Sequence, residues 1–238
     1  MVFRSTDQID IFVSNLFFTE TDCAEAVDGT RCGKFLLNRH PVWRFVRESG
    51  HNLPLLLMAA SCLYLIWLLM FNTTKTRDQL TAPLAALLSG LAGPLIAVNL
   101  VLKEYWGRPR PVQTSFFGGD HPYVAPGDIS SYCDTNCSFV SGEAAAAFWM
   151  LILVFYLKGR KRVWCAALLL PLAGFIAMLR VAFGRHYISD VVMAALLVMF
   201  LSALSIWLLQ TARGQNWMTG LHRYSNKNAF GRKNAQNS

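Results

Sequence analysis

Several separate blocks of apolar residues, each long enough to cross a bilayer, dominate the chain. A transmembrane helix needs about 20 consecutive apolar residues, because its backbone must satisfy its own hydrogen bonds where no water is present. Of the 238 residues, 54% are hydrophobic and only 15% are charged, whereas soluble globular chains carry roughly 25% charged residues. The sequence therefore predicts an all-α, polytopic membrane helix bundle and excludes a water-soluble domain, a disordered chain and collagen.

Five transmembrane helices are predicted from windows of about 19 residues. Four of these segments are uncharged, and the other carries a single charge, Glu143, near its start. The predicted spans cover residues 53–71, 79–102, 139–157, 163–179 and 191–212. Five spans would place the two termini on opposite sides of the membrane.

The net charge of +8 comes from Lys and Arg in short runs between the apolar blocks. Such runs are typical of cytoplasmic loops and do not indicate a nucleic-acid-binding face. The link after residue 71, the hairpin at 158–162 and the tail at 213–233 hold most of these cations, so we expect them to face the cytoplasm. The loop at 103–138 and the turn at 179–190 then face the opposite side.

Three parts of the chain are predicted on this basis. Residues 53–209 form the transmembrane domain, and residues 210–238 form a basic cytoplasmic tail. Residues 1–52 form an extracytoplasmic segment that either lies along the membrane interface or follows a further span upstream of this sequence. The apolar run at 9–18 is too short, and its flanks too acidic, for a cleavable signal peptide.

Four of the six cysteines fall in segments predicted to lie outside the cytoplasm. An even number of cysteines there favours disulfides and an oxidising compartment. Pairing neighbours is one of three possible connectivities, and a metal site is a weaker alternative because no second ligand pair is present. The predicted pairs are Cys23 with Cys32 and Cys133 with Cys137, while Cys62 and Cys165 lie within spans and are expected to be unpaired.

Two polar clusters at the outer ends of predicted spans favour the binding of an anion. Lys103 and Arg110 are two helical turns apart and would form a cationic clamp, or else a basic collar at the lipid headgroups. Ser141 and Gly142 open the third predicted span, where free backbone N–H groups and the helix dipole attract a phosphate. Glu143 follows them, either as a catalytic carboxyl or as a residue that complements the helix dipole.

A third cluster lies between the last two predicted spans and contains Arg180, His186 and Asp190. His186 and Asp190 have the spacing of neighbours on one helical face. An Asp that accepts a hydrogen bond from one imidazole nitrogen leaves the other nitrogen free as a nucleophile, although structural His–Asp pairs also occur. A zinc site is disfavoured because the remaining histidines are scattered along the chain.

The order and spacing of these clusters resemble the type 2 phosphatidic acid phosphatase superfamily. The signature of that family is K-x6-RP, then PSGH, then SR-x5-H-x3-D. Lys103 and Arg110 match the first motif, and Arg180, His186 and Asp190 match the spacing of the third.

The chain departs from the family signature at two positions. Glu143 follows Ser141 and Gly142 where the family commonly has histidine, and Leu179 replaces the serine before Arg180. In the family, the histidine of the second motif protonates the leaving oxygen. Glu143 could do this only if it were partly protonated, against the pull of the nearby cations.

The resemblance implies a phosphatase with His186 as nucleophile, forming a phosphohistidine, and Asp190 as the residue that orients it. Neither a metal nor another cofactor is expected, because basic side chains can neutralise a phosphomonoester; Arg108 and Arg185 would add to this positive charge. The expected partners are a phosphorylated lipid and the bilayer, with no nucleic acid and no protein partner. The residues expected to bind the phosphoryl oxygens are Lys103, Arg110, Ser141, Gly142 and Arg180.

The stretches FGGDHPY and CDTNCSFVSGEAA look like those of bacterial family members grouped with the lipid A 4'-phosphatases. The favoured function is therefore removal of a phosphate monoester from lipid A at the periplasmic face of the inner membrane. Undecaprenyl diphosphate and phosphatidylglycerol phosphate are alternative substrates. A non-catalytic anion-binding membrane protein is the alternative outside this class.

Overall fold

Helices make up most of the chain in the computed structural model, which describes residues 2–21, 32–71, 77–211, 213–218 and 220. The N-terminal part contains helix α1 (Val2–Asn15), the antiparallel strands β1 (Phe18–Glu20) and β2 (Gly33–Phe35), and a short 3-10 turn (Leu36–Arg39). The helices that follow are α2 (Pro41–Phe71), α3 (Arg77–Gly90), α4 (Lys103–Tyr105), α5 (Gly142–Trp149), α6 (Ile152–Tyr156), α7 (Gly159–Ala182) and α8 (Ile188–Gln210).

Four helical segments of the described chain are long and apolar enough to cross a membrane. The helical membrane bundle is thus confirmed, but the predicted number of five spans is wrong. The four segments are Pro41–Phe71, Gln79–Tyr105, Gly159–Ala182 and Ile188–Gln210.

The predicted span at 139–157 is instead the shorter apolar segment Gly142–Tyr156, formed by α5 and α6. At 1.5 Å per residue such a segment is about 22 Å long, less than the roughly 30 Å of a bilayer core. Its helix is interrupted after Trp149, where Met150 N–H donates to the carbonyl of Ala147 at 3.2 Å. The buried alanines of α5 let it pack closely against α7 and α8, so α5 lies inside the bundle, whereas α6 leaves Leu153 and Phe155 exposed.

Two helices extend further than the sequence predicts. α2 begins at Pro41, twelve residues before the predicted start at 53. α3 continues into α4 through the wider turns of a π-helical segment, Leu91–Leu102, in which the side-chain amide of Asn99 donates to the carbonyl of Pro94 at 2.7 Å. The continuous helix carries Lys103 to its outer end.

The N-terminal segment packs onto the end of the bundle near residue 187. α1 contacts α7 and α8. The buried rings of Phe18, Phe35 and Phe117 pack with centroids 5.3–5.5 Å apart, which fixes the β1–β2 hairpin to the loop after α4. The division of the chain at 52/53 and 209/210 stays a prediction, and residues 212, 219 and 221–238 of the predicted tail lie outside the described residues.

The cysteines follow the predicted pattern where they can be compared. Cys133 and Cys137 form a disulfide with their Cα atoms 5.8 Å apart. Cys32 is also disulfide-bonded, but its predicted partner Cys23 lies outside the described residues. Cys62 and Cys165 are free thiols.

Candidate active site

The N-terminus of α5 forms one wall of the candidate site. The Ser141 side chain caps this helix by accepting a hydrogen bond from Ala144 N–H at 3.4 Å. A Cβ atom on Gly142 would lie 2.6 Å from Asn99 Oδ1 and 3.2 Å from Lys103 Nζ. The lysine ammonium therefore sits directly beside the helix N-terminus, and a side chain at position 142 would displace Asn99 and Lys103.

Lys103 and Arg110 are both held by Asn136. Lys103 Nζ donates to the Asn136 side-chain oxygen at 3.3 Å, and Arg110 Nη2 donates to the Asn136 backbone carbonyl at 2.5 Å. Asn136 immediately precedes Cys137 of the disulfide, so the loop that holds both cations is cross-linked. Burial and the nearby charge of Arg185 lower the pKa of Arg110, as expected for a crowded cationic pocket.

Glu143 pairs with two arginines. Its carboxylate accepts from Arg47 Nη2 at 2.6 Å and lies 3.4 Å from Arg180 Nη1. Neighbouring guanidinium groups favour the ionised carboxylate, and the cap of α5 comes from Ser141. Glu143 thus lies in the first turn of α5, where its charge complements the helix dipole, and it is also the counter-ion of two arginines.

The guanidinium of Arg180 is buried and only partly satisfied. Its Nε has no hydrogen-bond partner among the described residues. A buried donor without a partner costs free energy, and a bound phosphoryl oxygen could satisfy it.

His186 lies in the turn between α7 and α8, so the predicted placement of His186 and Asp190 on one helical face is wrong. Its Nδ1 is 2.7 Å from the backbone carbonyl of Ser138 but 3.8 Å from Asp190 Oδ2. Asp190 Oδ2 accepts instead from Ser138 Oγ at 2.6 Å and from Tyr187 N–H at 2.9 Å. Asp190 is thus linked to His186 through Ser138 and the start of α8.

The Ser138 carbonyl can only accept, so Nδ1 carries the proton and the Nε2 lone pair is free. Nε2 has no hydrogen-bond partner in the described part of the chain. Burial lowers the pKa of His186 to about 4; Arg180 and Lys103 add to this effect, and Asp190 opposes it. The imidazole is therefore neutral near pH 7, the form a nucleophile needs.

Gly184 shapes the turn that presents His186. Its φ of +64° lies in the left-handed region, and a Cβ atom there would come within 2.4 Å of the Phe35 ring. Its carbonyl accepts a hydrogen bond from Val112 N–H at 3.1 Å, which ties the turn to the segment after Arg110.

Arg108 does not add charge to the phosphate site, contrary to the prediction. It is fully buried and pairs with Asp190 at 2.5 Å and with Asp10 of α1 at 2.8 Å. Burial alone would lower its pKa, but these two carboxylates outweigh burial and raise the pKa of Arg108 above its usual value. Its charge is therefore already neutralised within the protein.

The candidate site residues converge around the N-terminus of α5. Lys103 interacts electrostatically with Arg110, Arg180 and Glu143, and His186 interacts with both Lys103 and Arg180. A cavity of about 340 Å³ adjoins Lys103 and Glu143.

Sequence reasoning missed four polar residues of this site. Arg47 precedes the predicted start of its span. The signal that could have indicated it is that basic residues recur three or four positions apart around it, as they do on a polar face of a helix. No sequence signal distinguished Asn99 and Asn136, and Ser138 belonged to the predicted cluster around Ser141 and Gly142 but was given no role of its own. The residues whose contacts were not predicted are Arg47, Asn99, Asn136 and Ser138.

Comparison with known proteins identifies the family of the chain. The model of the PAP2 superfamily matches residues 79–214. A lipid A 4'-phosphatase of Rhizobium leguminosarum is 37% identical over 213 residues, which cover 86% of this chain and 90% of that protein. A lipid A 4'-phosphatase of Rhizobium etli is 39% identical over 220 residues, covering 86% of this chain and 81% of the relative.

A lipid A 4'-phosphatase of Francisella tularensis subsp. novicida is 42% identical over 107 residues, which cover 44% of this chain and 48% of that protein. No solved structure shows significant similarity to the chain. The family match spans more than half of the chain and includes Lys103, Arg110, Glu143, Arg180 and His186. The chain therefore belongs to the PAP2 superfamily.

Proposed function

We propose that this protein is a membrane phosphatase that removes the 4'-phosphate monoester of lipid A. One observation of the site carries the proposal: the neutral imidazole of His186 is held at Nδ1 and free at Nε2, with Arg180 and Lys103 nearby. The relatives that cover most of the chain are named lipid A 4'-phosphatases. These names favour lipid A over undecaprenyl diphosphate and phosphatidylglycerol phosphate.

The phosphate binds against cations and helix-terminal N–H groups. Arg180 has an unsatisfied donor, and Lys103 lies beside the start of α5. Together with Arg110 and the amides near Gly142, they match the negative charge of the phosphoryl oxygens. The same groups stabilise charge as it spreads over these oxygens during in-line displacement.

The reaction proceeds in two displacements. In the first, His186 Nε2 forms a bond to phosphorus while the bond from phosphorus to the sugar oxygen breaks. In the second, water attacks phosphorus and the N–P bond breaks, which releases inorganic phosphate and restores the imidazole. The Ser138 carbonyl and Asp190 stabilise the positive charge of the phosphorylated ring, since the proton stays on Nδ1.

The leaving oxygen takes its proton from water. Glu143 carries no proton to donate while it pairs with Arg47 and Arg180. Its role is to hold both guanidinium groups in place until the phosphate takes over the contact with Arg180.

The lipid part of the substrate lies beside the site. The cavity next to Lys103 and Glu143 extends along α5 to Met58 and Trp149, and most of its lining is apolar. A glycolipid with its phosphate at α5 could place its hydrophobic part there.

The site faces the periplasm of the bacterial inner membrane, and the C-terminus is cytoplasmic. α7 runs from the basic hairpin at 158–162 to the turn that contains His186, so these lie at opposite ends of a helix about 36 Å long. Basic loops favour the cytoplasm. The Cys133–Cys137 disulfide lies beside the candidate site and requires an oxidising compartment.

Phosphate release by the purified protein from a panel of lipids tests the proposal. Lipid A, undecaprenyl diphosphate and phosphatidylglycerol phosphate are the substrates, and mass spectrometry of the lipid A product identifies the position that was hydrolysed. We expect release of the 4'-phosphate by the wild type and none by His186→Ala. Release only from undecaprenyl diphosphate, or full activity of His186→Ala, would overturn the proposal.

A further inference from the structure

A buried carboxylate of the N-terminal helix reaches the support of the candidate site. Asp10 of α1 is completely buried. It accepts hydrogen bonds from Arg108 Nη2 at 2.8 Å, from Ser189 Oγ at 2.5 Å and from Ser189 N–H at 2.9 Å. The phenol of Tyr123 donates to it at 3.2 Å. A buried carboxylate with this many donors holds them in a fixed arrangement.

The first turn of α8 is fixed from two sides. Asp190 accepts the N–H of Tyr187 from within the helix, and Asp10 accepts the N–H of Ser189 from outside it. These N–H groups have no partner within the helix itself. Because His186 immediately precedes this turn, its position depends on both carboxylates.

The charges of Arg108, Asp10 and Asp190 matter as much as their geometry. Arg108 Nη1 donates to Asp190 Oδ1 at 2.5 Å, and Nη2 donates to Asp10. With one carboxylate alone, the guanidinium would cancel the negative charge of Asp190. With two carboxylates, the buried group keeps a net negative charge, which is available to the imidazole of His186.

We infer that Asp10 is a positioning residue for the His186–Asp190 pair, because it shares the charge of Arg108 and holds the first turn of α8. The part of this inference that concerns turnover rests on the proposed function. Asp10 acts through Arg108 and Ser189 and does not contact the substrate. α1 is accordingly part of the catalytic unit and not only a segment at the membrane interface.

Substitutions on α1 test this inference in the full-length protein. Asp10→Asn removes the charge at nearly the same shape, and Asp10→Glu restores it. Asp7→Asn is the matched control, because Asp7 lies on the same helix and contacts Tyr123 but not Arg108. We expect Asp10→Asn to lower kcat about tenfold or more, as for a lost 1.36 kcal/mol of transition-state stabilisation, with KM within about twofold. Asp10→Glu should recover part of this loss, and Asp7→Asn should match the wild type.

A second measurement requires no substrate. The Nδ1 proton of His186 donates to the Ser138 carbonyl and should exchange slowly with solvent in ¹⁵N-histidine NMR spectra. We expect faster exchange in Asp10→Asn and unchanged exchange in Asp7→Asn. Unchanged kcat and unchanged exchange in a folded Asp10→Asn protein would overturn the inference.

The two proposals fail in different ways. If the wild type releases no phosphate from any lipid, the proposed function fails, and the NMR measurement still decides the role of Asp10. If Asp10→Asn does not fold, Ser189→Ala takes its place: it removes the hydroxyl that donates to Asp10 and accepts from Arg108 Nη1 at 2.9 Å, while both carboxylate partners of Arg108 remain. It should lower kcat about threefold at unchanged KM, and wild-type kcat together with wild-type proton exchange would refute the inference.

Discussion

The titration of His186 gives the most direct physical test of the site. Burial, with the charges of Arg180 and Lys103, lowers the pKa of His186 from the ordinary value of 6.5 to about 4. At pH 5 an ordinary imidazole is about 3% neutral, whereas His186 should be about 90% neutral. The nucleophile is thus available across the whole neutral and mildly acidic range.

The same shift links the stability of the protein to pH. The folded protein holds the ring neutral, so the unfolded chain binds more protons between pH 6.5 and pH 4, and stability falls as the pH is lowered through this window. At about 1.36 kcal/mol per unit, the loss from pH 7 to pH 4.5 amounts to about 2–3 kcal/mol. His186→Gln should lack this part of the pH dependence.

Histidine NMR in detergent micelles measures the titration without any substrate. The sequence has five histidines, and the signal absent from His186→Gln identifies the ring of interest. Thermal unfolding of both proteins at pH 7 and pH 4.5 measures the difference in stability. A His186 midpoint near 6.5, with equal pH dependence of unfolding in the two proteins, would show that the ring is not buried as described.

Further expectations concern the arginine pairs, metals and the turn before His186. Glu143→Gln should lower kcat by less than about tenfold in the phosphate-release assay; a loss of 10²-fold or more is typical of a general acid and would restore that role. Arg47→Gln should raise KM with little change in kcat, because Glu143 is then left to Arg180 and competes with the phosphate. EDTA should leave the rate unchanged, and a strict Mg²⁺ requirement would contradict the site. Gly184→Ala should destabilise the protein by about 1–3 kcal/mol in thermal unfolding, since the added methyl group meets Phe35; unchanged stability would refute the strained turn.

The motif residues could be found from the sequence because short-range spacing decides their placement. Lys103 lies at the end of a helix, but that helix stops at Tyr105 and Arg110 follows in extended backbone, so the prediction that they lie two helical turns apart is wrong. Arg180 lies in the last turn of α7, and His186 follows in the turn after it. The disulfide between Cys133 and Cys137 could be predicted for the same reason, since the two cysteines are only four positions apart.

The partners of the charged residues could not be found in this way. Glu143 and Arg47 are 96 positions apart, and Ser189 and Asp10 are 179 apart. Many cations of the chain could have paired with either carboxylate, and only the packing of α1 and α2 against the bundle selects one. The prediction that His186 lies on a helical face was wrong because no local feature of the sequence indicates that α8 begins only at Ile188.

Hydropathy and spacing by themselves determined that the chain is a helical membrane protein with a phosphate-binding motif. Hydropathy and motif spacing depend only on residues that are close together in the sequence, so they can be evaluated without knowledge of the fold. The tertiary structure alone decided that α5 is buried among the other helices, that Glu143 pairs with Arg47 and Arg180, and that Arg108 pairs with Asp10 and Asp190. Burial and charge pairing depend on distances through space, and the distances between remote segments are set only when the helices pack.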